Sequence, residues 1–181
     1  MISKTIFSGF GGQGVLSMGQ TLAHAAMLED KFVTYLPSYG AEVRGGTANC
    51  TVTISDEEIA SPIASEPEFV VALNQPSFFR FQNVLQSGGF LLYNASLVEA
   101  AALRGDIEML GIPATELAKK LGNVRVANMI TLGALIAISS LVSFDQLQKN
   151  LSTILGEGKA RLLKTNKEAL QTGYAFAKEQ K

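Results

Sequence analysis

Residues 4–29 dictate most of what this chain can fold into. An apolar run, KTIFSGF at 4–10, breaks at a turn with the spacing Gly9-x-Gly11-x-x-Gly14, and residues 15–29 then set Leu16, Leu22, Ala26 and Leu28 at helical intervals. Strand, glycine turn and helix in direct succession commit the chain to an α/β arrangement. The next apolar run, FVTYL at 32–36, is closed by Pro37 and completes a βαβ unit, whose parallel crossover is expected to be right-handed.

The later segments extend the same pattern. FVVAL at 69–73 and GFLLYN at 89–94 are continuously apolar, as parallel strands covered by helices on both faces must be, with PSFFRFQNVLQ at 76–86 between them. NCTVTIS at 49–55 differs, because Cys50, Val52 and Ile54 alternate with Asn49, Thr51 and Thr53; this strand is wet on one face and is expected to be antiparallel or peripheral. IEMLGIP at 107–113 adds a strand, and a helix near 115–121 ends at Gly122 in a left-handed cap. The stretch 127–142 is interrupted by Asn128, Thr131, Gly133, Ser139 and Ser140 and falls short of the about 20 residues of a bilayer span, so it reads as a helix of the core or of a subunit interface. Ser143 and Gln146 have capping-box spacing ahead of a helix lined by Leu147, Leu151, Ile154 and Leu155, and a final helix covers 160–178. The expectation is a single domain over 1–181: a Rossmann-like, three-layer α/β/α sandwich with a mostly parallel sheet, at least one antiparallel or edge strand, and ligands beyond the carboxyl ends of the strands.

Composition narrows the chemistry. The 15 Lys and Arg nearly cancel the 16 Asp and Glu, leaving a net charge of -1 and no basic cluster, which argues against nucleic acid as a partner. No membrane span and no export signal is legible, so the cytoplasm is the expected location. Cys50 is the lone cysteine; it allows no internal disulfide and supplies one thiolate where an iron–sulfur cluster takes four. Cys50 shares the apolar face of its strand and reads as an inert buried thiol, and His24, inside the first helix, as a structural residue. No nucleophile–base pair or metal cluster stands out, so no residue is assigned a catalytic role or a metal.

Two stretches carry candidate binding residues. In the first, Gly9, Gly11, Gly12, Gln13 and Gly14 offer backbone N–H groups and positive φ at the start of a helix, where the dipole favours an anion. A dinucleotide site would also need a carboxylate about 20 residues on, at the end of the second strand. That strand ends in Pro37, Ser38 and Tyr39, while Glu29 and Asp30 precede it. A phosphate or pyrophosphate contact and tight packing without a ligand both remain open. In the second stretch, SYGAEVRGGTAN at 38–49, Arg44 stands beside Gly45 and Gly46, a planar guanidinium over open backbone that suits a carboxylate or phosphate, with Glu42 placed to orient it. Ser38, Tyr39 and Thr47 flank that loop.

The two stretches, followed by ALNQPS at 72–77 and ANMITLGAL at 127–135, resemble the gamma subunit of 2-oxoacid:ferredoxin oxidoreductases over nearly the whole chain. RGGTANC is most similar to 2-oxoglutarate-type members, with pyruvate and branched-chain types close; Ala41 stands where proline is common, which should relax the loop. The resemblance implies a complex that cleaves a 2-oxoacid on thiamine diphosphate with magnesium, transfers the acyl group to coenzyme A and passes electrons through iron–sulfur clusters to ferredoxin. Alpha and beta subunits, with delta as a further candidate, would hold those groups, and this chain would hold none. It would complete the complex and help form the region where coenzyme A arrives. The rival readings are an architectural subunit without ligand contacts and a free-standing nucleotide-binding oxidoreductase.

Overall fold

The computed structural model describes residues 2–39, 47–63, 65–101, 104–156 and 162–180. In chain order they form β1 (Ile2–Phe10), α1 (Val15–Met27), β2 (Phe32–Tyr39), β3 (Thr47–Ser55), β4 (Phe69–Ala72), α2 (Gln75–Gln82), β5 (Phe90–Asn94), β6 (Glu108–Ile112), α3 (Ala114–Lys120), a 3-10 turn (Val124–Val126), α4 (Ala127–Ser139), α5 (Phe144–Leu155) and α6 (Leu163–Glu179). The strands make one sheet in the order β2-β3-β1-β4-β5-β6. β1, β4, β5 and β6 pair in parallel, whereas β3 is antiparallel to both β1 and β2.

The mostly parallel α/β sheet agrees with the sequence reading, and one pairing corrects it. β1 and β2 do run in the same direction across α1, but they are not neighbours: β3 lies between them, with Cys50 opposite Phe7 on one side and Pro37 on the other. β3 is therefore antiparallel, as expected, yet internal, and the edge falls to β2. Proline lacks the N–H that a central strand must donate, so Pro37 suits an edge.

Side chains alternate between two unequal layers. Phe7, Cys50, Val52, Val71 and Leu92 pack against α1, α4 and α6 through Met18, Leu22, Ile130, Leu135 and Leu170. On the opposite face Ile6, Val70, Ala72 and Leu91 meet Phe78 and Leu85, and α2 is the helix that covers them. α4 is apolar all round because it is sandwiched between the sheet and α6. The two helices approach so closely that a Cβ at Gly133 would collide with the Leu170 carbonyl, and one at Gly173 with the Ile130 carbonyl.

Helix ends follow local chemistry. Asn74 caps α2, its side chain accepting from Ser77 N at 2.9 Å. Gly122 takes φ 78 after α3, the expected left-handed cap. α4 stops at Ser139, earlier than 142, because Ser140 turns left-handed at φ 53. Ser143 Oγ accepts from Gln146 N at 3.3 Å, but Ser143 N donates to Glu29 Oε1 at 2.7 Å rather than back to Gln146, which ties α1 to α5. Leu28, placed on the buried stripe of the first helix by spacing, lies beyond the end of α1 and is exposed; Val15, Met18, Leu22 and Ala26 form the buried face. Among the described residues no helix is long and apolar enough to cross a membrane.

Candidate functional site

The chain passes from β1 to α1 and β2 on one side of the sheet and to β4 on the other. The order reverses between β1 and β4, and in open α/β sheets ligands bind in the crevice beyond the carboxyl ends at such a point. A cavity of about 200 Å³ opens there, lined by Gly12 and Gln13 after β1, Leu73 after β4, Asn94 at the end of β5, Thr115 of α3, and Val124, Arg125 and Asn128 at the approach to α4. Two larger cavities lie elsewhere. One of about 570 Å³ is at the amino ends of β4–β6, where Glu68 and Glu108 would repel an anion, and one of about 620 Å³ lies between α5 and α6.

The glycine turn is built for close approach. Gly12 and Gly14 take φ of 94 and 77, so positive φ is required at these two glycines. Gly14 is the N-cap of α1, with no side-chain cap and no acidic residue in the first turn, so the helix presents unpaired N–H groups at the crevice. A Cβ on Gly14 would strike the Asn128 side chain. Gly9 serves packing: a Cβ there would lie 2.9 Å from Val15 and 3.1 Å from Leu73. Gln13 locks the turn, Oε1 accepting from Phe10 N at 2.7 Å and Nε2 donating to the Leu73 carbonyl at 3.2 Å. Its amide is spent on joining the ends of β1 and β4, which leaves the backbone of Gly11 and Gly12 exposed at the tip.

The second stretch meets the first at its flanks. Thr47, exposed at the start of β3, pairs with Phe10 at the end of β1, and Tyr39 pairs with Ala48. Ser38 is exposed on β2 opposite Asn49, one strand farther from the turn. Glu42, Arg44, Gly45 and Gly46 lie outside the described residues.

Sequence reasoning did not find the far wall. Arg125 is exposed at the cavity rim, and among the described residues its guanidinium makes no ion pair. Asn128, nearly buried, donates Nδ2 to the Gly14 carbonyl at 3.4 Å, and Asn94 Nδ2 donates to Thr115 Oγ1 at 2.8 Å. The only signal was the polar interruption of an apolar helix by Asn128. The lining thus combines a helix start, one cation, neutral amides and one hydroxyl, without a carboxylate among the described residues. It can bind an anion, and it offers no base or nucleophile.

The geometry also bears on other chemistries. In a dinucleotide site the second strand adjoins the first and carries the ribose-binding acid; here β3 takes that place. His24 is exposed on α1. Cys50 is fully buried, with Sγ 3.7 Å from the Val15 carbonyl, and burial pushes its thiol from 9.0 up to about 12 against the weaker pull of hydrogen bonds from Tyr35 and Gly19. A protonated, enclosed thiol does not suit a cluster ligand or a nucleophile. Among the described residues no three His, Cys, Asp or Glu side chains gather to hold a metal. Among the described residues, a single buried thiol does not fit an iron–sulfur cluster, and no group of carboxylates gathers to hold a metal-bound diphosphate.

The model of the pyruvate ferredoxin/flavodoxin oxidoreductase family matches residues 4–176. The chain belongs to that family. It is 38% identical over 172 residues to the ketoisovalerate oxidoreductase subunit VorA of Methanothermobacter thermautotrophicus, a match that takes in 95% of this chain and 36% of the relative. The chain therefore spans about a third of that relative's length. The keto/oxoacid ferredoxin oxidoreductase gamma subunit of Geobacter sulfurreducens superposes with a TM-score of 0.83 at 30% identity, covering 97% of this chain and 98% of that one. The 2-oxoglutarate:ferredoxin oxidoreductase of Magnetococcus marinus, solved with 2-oxoglutarate, coenzyme A and succinyl-CoA, gives 0.89 at 26% identity, covering 98% of this chain and 31% of that one.

Proposed function

We propose that this chain, as one domain over 1–181, is the gamma subunit of a cytoplasmic 2-oxoacid:ferredoxin oxidoreductase, with 2-oxoglutarate as the oxoacid. The observation that carries the reading is the likeness to the Geobacter gamma subunit, at a TM-score of 0.83 and 30% identity over 97% of this chain. The complex would oxidatively decarboxylate the oxoacid to its acyl-CoA and reduce ferredoxin. Thiamine diphosphate, magnesium and the iron–sulfur clusters would belong to alpha and beta partners, with delta as a further candidate, in keeping with the single buried thiol and the lack of a metal-binding group among the described residues.

The contribution of this chain is binding. Its cavity of about 200 Å³ is below the roughly 300–1,000 Å³ of pockets that enclose a whole ligand. It takes one anionic portion of coenzyme A, against the backbone of Gly11 and Gly12, the start of α1 and Arg125, and Glu42, Arg44, Gly45 and Gly46, with Ser38, Tyr39 and Thr47 beside them in the sequence, are proposed as further contacts to the same ligand. A second reading, ketoisovalerate as the oxoacid, is favoured by the 38% identity to the Methanothermobacter subunit.

The test is purification of the complex through a tag on this chain, identification of its subunits by mass, and assay of coenzyme A-dependent viologen reduction on pyruvate, ketoisovalerate and 2-oxoglutarate. The proposal expects an assembled complex with highest kcat/KM on 2-oxoglutarate. A complex active first on ketoisovalerate would move the assignment to the second reading, and a chain that purifies alone from cells making the activity would overturn both.

A further inference from the structure

The cavity of about 570 Å³ at the amino ends of β4–β6 has a chemistry opposite to that of the crevice at the carboxyl ends. It lies between the sheet and the last turns of α4 and α6. Phe69, Phe90, Leu110 and Ile138 line it from the margin of the main core. Phe90, Leu110 and Ile138 are only partly buried, so apolar surface faces the hollow. The volume falls within the roughly 300–1,000 Å³ of pockets that enclose a small molecule.

Two carboxylates also line this cavity. Phe69, Phe90 and Glu108 are register partners across β4, β5 and β6, so Glu108 projects to the same face of the sheet as the two rings. Glu68 reaches that face too, because its Oε2 accepts from Ser3 Oγ at 2.5 Å and Ser3 alternates on β1 with Thr5 and Phe7. Ser3 is 2% exposed, and its hydroxyl fixes where Glu68 points. β5 stands between the two glutamates, which sets their backbones two strand spacings apart, about 10 Å. Among the described residues no Lys, Arg or His lines the cavity, and neither glutamate forms a salt bridge. Lys178, in the last turn of α6, lies instead over the Tyr174 ring at 5.4 Å. α4 ends beside the cavity with no basic residue in its last turn, so the negative ends of two helix dipoles add to the field of the carboxylates.

Negative charge at both sides of an apolar wall suits a cation that carries hydrocarbon. A bare divalent ion takes about six or more oxygens, and among the described residues no three acidic side chains gather here. Such an ion would also leave Phe90, Leu110 and Ile138 against water. An aliphatic chain with an ammonium group at each end meets both demands: its methylenes cover the apolar wall, and each ammonium reaches one carboxylate. We infer that this cavity binds a linear aliphatic diamine, with one ammonium on Glu68 and the other on Glu108.

The experiment titrates the full chain with 1,4-diaminobutane by calorimetry at about 0.15 M salt, where loose attraction between exposed charges is screened. Saturable one-to-one binding is expected. Glu68→Gln and Glu108→Gln should each weaken it about tenfold or more, the worth of one charge-assisted contact, while Glu116→Gln on the exposed side of α3 binds like wild type. Butylamine, which keeps the hydrocarbon and loses one charge, should bind wild type at least about tenfold more weakly, a comparison that needs no variant to fold. In methyl spectra of wild type the Ile138 resonance should move on titration, and that of Ile6, on the opposite face of the sheet, should not. No saturable binding by wild type, unchanged affinity in both glutamine variants, or butylamine binding as tightly as the diamine overturns the inference. Displacement of the diamine by an equal concentration of magnesium chloride overturns it as well, because the carboxylates would then act without the apolar wall.

Discussion

At the scale of single residues, the site rests on two glycines with different burdens. Gly12 has φ 94 and open space around its missing Cβ, so Gly12→Val meets backbone strain alone, about 1–2 kcal/mol. Gly14 adds a collision with Asn128, so Gly14→Ala should cost more, about 2–4 kcal/mol, and part of the excess should vanish in an Asn128→Ala background. Thermal or urea unfolding of the four variants decides it, and equal costs at the two glycines would refute the assignment. Arg125→Ala in an assembled complex should weaken coenzyme A use about 10- to 150-fold, the worth of one charge-assisted contact of roughly 1.5–3 kcal/mol, with subunit stoichiometry unchanged. Arg44→Ala is expected to act alike, and Arg44→Lys to restore only part, since lysine lacks the planar fork.

Cys50 gives a pH-dependent prediction at the same scale. Its pKa is higher in the folded chain than in the unfolded one, so the folded state keeps the proton longer. The resulting stability is whole below about pH 9 and fades as pH rises toward about 12. Cys50→Ala should flatten that alkaline decline, and thiol reagents at about pH 8 should label wild type only as it unfolds. Rapid labelling of the native chain would contradict the burial. The glycine turn and the buried thiol were legible from sequence because both depend on near neighbours: spacing in one case, strand alternation in the other. Arg125, Asn128 and Asn94 were not, since they stand 80 or more residues from the turn and only the sheet order brings them to it.

Among the elements, the α4–α6 contact depends most narrowly on residue type. Each helix places a glycine over the other's backbone, Gly133 over Leu170 and Gly173 over Ile130. A methyl group there meets carbonyls that cannot swing aside, so Gly173→Ala and Gly133→Ala should each cost about 3 kcal/mol or more, at the high end of overpacking. Circular dichroism melts check this; a loss below about 1 kcal/mol would mean that the helices can part freely. The sequence showed both helices and the all-round apolarity of α4 but not their pairing, because hydrophobic period reports that a helix is buried and not against what. The same limit explains β3. Its alternation pointed to an antiparallel strand, as found, but the wet face it implied is not there, since Thr53 and Ser55 are buried at 0% and 5% exposure; its insertion between β1 and β2 depends on pairing along both edges, which alternation does not encode.

For the molecule as a whole, the proposed role is that of a subunit whose partners supply the reacting groups. Reconstitution of the complex from separately purified subunits, with and without this chain, tests that account most directly. The measured quantity is coenzyme A-dependent reduction of viologen by a 2-oxoacid. The account predicts no activity from this chain alone, loss of coenzyme A-dependent turnover when it is omitted, and recovery on adding it back. Viologen reduction by the isolated chain, or full turnover by a complex that lacks it, would contradict the account.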